Sequence, residues 1–71
     1  MSKKLEKIVD KLSDLKEELD VMAEQAQDYY DNRSEKWQES EKAAELEEKI
    51  SAYEEASDEI QEAIDTLMEY V

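Results

Sequence analysis

Residues 28–42 read DYYDNRSEKWQESEK, and whether the chain bends there decides between one long rod and a hairpin. On the N-terminal side, Leu5, Ile8, Leu12, Leu15, Leu19, Met22, Ala26 and Tyr29 follow one another at alternating steps of three and four. That is the a/d seam of a helix packing lengthwise on a neighbour. Val9, Ala23 and Tyr30 widen the stripe on one side, as bundle helices do. On the C-terminal side a second seam runs through Ala43, Leu46, Ile50, Tyr53, Ser57, Ile60, Ile64, Leu67 and Val71, with Ser57 its one polar member. Ala56, Ala63 and Met68 flank it. Two long helices are therefore expected on either side of the quoted stretch.

The chain contains no Gly and no Pro, so the bend must come from other residues. Asn32 with Glu35 fits a capping box, and Ser34 and Ser40 are rival N-caps, each followed by Glu. A second helix beginning at 33 would overhang the first by about ten residues, or about 15 Å at 1.5 Å per residue. A start near Ser40 makes the helices equal. The expectation is one domain spanning 1–71, with helix 1 at about 3–31, a connector at about 32–40 and helix 2 at about 41–70. Ser2 caps the first helix, and Asn32 ends it by taking the left-handed conformation that Gly usually supplies. Trp37 folds over the open end of the hairpin.

Antiparallel pairing of the seams sets Tyr29 against Ala43, Met22 against Ile50, Leu15 against Ser57 and Leu5 against Leu67. Ser57 is expected to bond the carbonyl four residues back rather than to set the register. The fold class is all-α: an antiparallel two-helix hairpin, coiled-coil-like. One side of its apolar stripe stays wet, so a homodimer forming a four-helix bundle is expected, covering Val9, Ala23, Tyr30, Ala56, Ala63 and Met68.

Twenty-two acidic and nine basic residues give a net charge of -13, and the chain has no Cys and no His. Attraction to phosphate backbones or anionic lipid is excluded, since both need excess Lys and Arg; no direct nucleic-acid or membrane contact is expected. No disulfide framework or thiolate metal site can form. The opening MSKKLEKIVDKL lacks the unbroken apolar core of a signal peptide, and a cytoplasmic location is expected.

The charge is unevenly placed: residues 1–20 sum to -1 and residues 21–71 to -12. Glu41, Glu48, Glu55, Glu62 and Glu69 recur every seven residues at the outward position of helix 2, with Glu45 and Glu59 beside them. A solvated face of good helix formers accounts for such a row without any partner. The sharper reading is phosphate mimicry, in which the carboxylates enter the basic channel of a nucleic-acid-handling protein. Trp37, with Tyr29, Tyr30, Arg33 and Lys36, forms the aromatic cluster; it reads as a packed cap or as an interface anchor. The candidate partner-binding residues are Glu41, Glu45, Glu48, Glu55, Glu59, Glu62, Glu69 and Trp37.

Tests for chemistry fail. Asp28 to Glu39 has acids at both ends of a calcium loop, but Tyr30 and Arg33 occupy a ligand position and the turn glycine position. Carboxylate-bridged metals in bundles use Glu-x-x-His pairs, which a chain without His cannot supply. Paired acid–base carboxylates need an enclosing pocket. No enzyme activity, cofactor or metal is expected.

At RSEKWQESEK (33–42) and EEKISAYEEASDEIQEAIDTL (47–67) the chain resembles short acidic helical-hairpin proteins carried by bacteriophages and mobile elements. The likeness covers about the last 45 residues; Lys42-Ala43 stand where those proteins often have a Gly. It carries over no activity and no functional residue. It implies a small protein that binds host machinery; joined to the acidic face of helix 2, the expectation is an inhibitor of a nucleic-acid-handling host protein such as a defence nuclease. The alternative is a structural or assembly module held by apolar contacts.

Overall fold

The computed structural model describes residues 2–71 as a helical hairpin. Helix α1 spans Lys3–Asp31, a single turn α2 spans Glu35–Gln38, and α3 spans Glu41–Met68. The α1 and α3 rods pack lengthwise, giving extents of 55 × 14 × 12 Å. No helix among the described residues is long and apolar enough to cross a membrane.

Each helix starts on a serine. Ser2, Ser34 and Ser40 are all extended, and their hydroxyls accept from the amides of Leu5, Trp37 and Ala43 at 3.1, 3.2 and 3.3 Å. Serine at these positions satisfies an amide that the first helical turn leaves free. The Asn32–Glu35 capping box does not form, because Ser34 takes that role. Nor is Asn32 left-handed: it sits at φ -89°, ψ 0°, and no described residue has positive φ. Asn32 closes α1 differently, its side-chain amide donating to the Asp28 carbonyl at 2.9 Å. Arg33 N–H then tightens the end by donating to the Tyr30 carbonyl at 3.2 Å. The reversal is thus divided between two extended joints, Ser34 (ψ 158°) and Ser40 (ψ 167°), and needs no glycine.

On α3 the inward row is the expected one: Ala43, Ile50, Ser57 and Ile64 are buried, with Leu46, Tyr53, Ile60 and Leu67 half-buried between them. Val71 lies outside it, exposed. On α1 the row is rotated by one position. Leu5, Leu12, Leu19 and Ala26 face inward as expected, but their companions are Val9, Lys16, Ala23 and Tyr30. Val9 and Ala23 are each 8% exposed, whereas Ile8, Leu15, Met22 and Tyr29 are 44–54% exposed. Val9 and Ala23 are therefore used up inside the hairpin and are not free to cover a second copy.

The rotated face meets Ser57, which is 3% exposed. A buried hydroxyl must find a partner. It donates to the Asp20 carboxylate across the interface, not to its own helix, so the expected back-bond and the Leu15 layer are both replaced. Rotating α1 toward Val9 and Lys16 swings Asp20 into reach. Lys16 lies within this face with its side chain 26% exposed and pairs with Asp20 at 3.0 Å. Its methylenes cover the seam while the ammonium reaches its edge. Small Val9 and Ala23 let the rods approach closely.

Candidate functional site

Because α3 turns Ala43, Ile50, Ser57 and Ile64 toward α1, its opposite face must carry Glu41, Glu48, Glu55 and Glu62, one every two turns. These four are exposed, as are Glu45, Glu59 and Glu69, the last being the residue that caps α3 at its C-terminus. After Lys49 the chain has no basic residue, while Glu54, Glu55, Asp58, Glu59, Glu62, Asp65 and Glu69 follow. Among the described residues the ion pair formed is Lys16–Asp20, so none of the seven candidate glutamates is neutralised. Glu41 favours the start of α3, whereas Glu69 opposes the helix dipole at its end, where no basic residue stands.

The candidate residues are strung along one rod rather than gathered around a pocket. Ten carboxylates lie within the 28 residues of α3, a length of about 42 Å at 1.5 Å per residue, or one per about 4 Å. The axial spacing of phosphates along one DNA strand is about 3.4 Å. Among the described residues no group of three or more His, Cys, Asp or Glu is disposed to hold a metal ion.

Trp37 lies apart, on the α2 turn at the connector end, and is half-buried. Its ring meets Tyr29 edge-on at 5.6 Å and Tyr30 at 6.0 Å between centroids. The Arg33 guanidinium stands 5.0 Å from the Trp37 ring centre and 5.4 Å from that of Tyr29. A cation held by two aromatic faces is stabilised by their quadrupoles. Gln38, which sequence reasoning passed over, anchors this cap by donating to the carbonyls of Tyr30 and Arg33 at 2.9 and 3.2 Å. Tyr30 closes the last turn of α1 and Arg33 lies just past it, and only the closed connector brings the amide to both carbonyls.

Two side chains titrate away from their ordinary values. The Ser57 hydroxyl, followed by Lys16, holds the Asp20 carboxyl below the usual range. The Tyr30 phenol is raised, chiefly by the neighbouring Glu47 carboxylate, then by burial.

No family model matches this chain, and no curated protein or solved structure matches it either.

Proposed function

We propose that this hairpin is a non-enzymatic, stoichiometric inhibitor that offers the carboxylates of α3 as a phosphate mimic to a basic, nucleic-acid-handling protein such as a defence nuclease of a phage host. The single observation carrying this reading is the exposed glutamate row, without an ion-pair partner, on a rod whose carboxylates taken together average one per about 4 Å. That density has a cost. Glu41/Glu45, Glu54/Asp58, Glu55/Glu59 and Asp58/Glu62 are like charges one turn apart, each opposing the helix by about 0.2–0.5 kcal/mol. A face serving solubility alone is free to alternate Glu with Lys, as the start of α1 does. In this reading the hairpin acts as a homodimer in the cytoplasm, with α3 turned outward.

The test is retention of DNA-binding protein from a bacterial lysate on the immobilised chain at about 50 mM salt, where charge contacts are strong. The expected protein binds duplex DNA, elutes as salt rises, and is not held by a chain carrying Glu48→Lys, Glu55→Lys and Glu62→Lys. Retention indifferent to both salt and the triple reversal overturns the reading.

A second reading, a structural or assembly module, is favoured by the open row of Ile8, Leu15 and Met22 on α1. Leu15→Glu then abolishes partner retention while the triple reversal leaves it intact.

A further inference from the structure

We infer that Ile8, Leu15 and Met22 form the seam of an antiparallel α1–α1 contact between two copies of this chain, with Leu15 on the two-fold axis; this rests on the dimeric reading above and specifies its face and orientation. The three residues recur at seven-residue intervals and stay largely exposed, because α3 occupies the neighbouring stripe through Val9, Lys16 and Ala23. A row of period seven holds one line only along another helix that supercoils with it. Within one hairpin α3 packs on the neighbouring stripe and leaves this row largely exposed.

Charge says which helix fits. Lys3 through Lys16 hold five Lys against three acids, for +2, whereas Glu17 through Asp31 hold six acids and no base, for -6. A parallel copy would set the two acidic halves side by side. An antiparallel copy lays each basic half over the other's acidic half, a self-complementary contact of the kind a two-fold axis requires. Beside the apolar row, on the side away from α3, stand Lys4, Lys11, Glu18 and Gln25. Placing Leu15 on the axis sets Ile8 of one copy against Met22 of the other and Lys11 against Glu18, twice by symmetry. Tyr29 falls outside the overlap, where it packs on Trp37 and Arg33.

The chain has no Cys, so single introduced thiols report the contact directly. All three sites are exposed, and circular dichroism verifies that each variant keeps its helix content. Under mild oxidation, or with a short thiol–thiol linker, Leu15→Cys chains are expected to cross-link to themselves and Ile8→Cys chains to remain single. A mixture of Ile8→Cys and Met22→Cys chains is expected to yield the mixed dimer. Self-cross-linking of Ile8→Cys to the same degree as Leu15→Cys overturns the antiparallel arrangement. So does a dimer in sedimentation that none of the three thiols links. A monomer at every concentration overturns this contact and the dimeric reading together. Lys11→Glu is expected to weaken dimerisation about 3- to 10-fold through two exposed pairs, and adding Glu18→Lys to restore it. Failure of the second change to restore it overturns the register.

Discussion

Ser57 stands where the α3 seam would otherwise hold a large apolar side chain, and its partner is a carboxylate on the other rod. Replacing Ser57 with Ala removes the hydroxyl without stranding a polar group, since Asp20 remains open to water. The expected stability loss is smaller than for truncating Ile50 or Ile64, and the Asp20 carboxyl should titrate closer to its ordinary value by NMR. The linkage has a definite sign. A carboxyl held low in the folded state stabilises above its unfolded value of about 3.9, and that contribution is lost as pH falls through the folded value. Asp20→Asn should therefore remove a component of the acid transition below about pH 4. Tyr30 has the opposite sign. Its raised phenol stabilises below about pH 10 and loses that contribution as pH climbs through the folded value, so Tyr30→Phe should flatten the alkaline limb. At the tip, Trp37→Ala gives up two edge-on aromatic pairs and the Arg33 stack, an expected loss of about 1–3 kcal/mol in urea titration.

The element that differs from its sequence pattern is α1. Leu5, Leu12, Leu19 and Ala26 belong equally to a stripe that includes Ile8, Leu15, Met22 and Tyr29 and to one that includes Val9, Lys16, Ala23 and Tyr30. Periodicity identifies the shared half. It cannot choose the rest, because that is settled by which face meets α3, where contacts such as Ser57 with Asp20 join residues 37 apart in sequence. The larger, more apolar companions were the natural expectation, and they lie outside. On α3 only one stripe is apolar, so both its buried row and its exposed glutamates were legible. Gln38 was not, since its targets are carbonyls whose positions exist only after the connector closes. The rotated face makes a sharp contrast. Val9→Ala should cost about 1–2 kcal/mol, and Ile8→Ala should lie within about 0.5 kcal/mol at concentrations too low for association. Thermal melts of the dilute chains read the difference. Ser40→Ala, which uncaps α3, should cost about 1 kcal/mol and loosen amide-exchange protection first at Ala43 and Ala44.

Across the whole molecule, a net charge of -13 on a rod 55 Å long makes self-repulsion a global term. Raising salt from about 10 to 200 mM shortens the screening length from about 30 Å to less than 10 Å, so the melting temperature should rise. Reversing Glu48, Glu55 and Glu62 to Lys brings the net charge from -13 to -7, and the melting temperature of that chain should start higher and respond less to salt. The glycine-free connector has its own consequence at this scale. Every described residue keeps a negative φ, and Ser34 and Ser40 are connector positions whose extended ψ departs from a helical value. Straightening those two positions gives up two caps, the Gln38 bonds and the aromatic tip, but it asks no side chain to leave a glycine-only region. Two opened chains can then trade arms, each α1 accepting the other's α3 over the same inner surface. Exchange of arms by this route asks no described residue to change the sign of φ, so the closed connector and the swapped pair draw on the same backbone region.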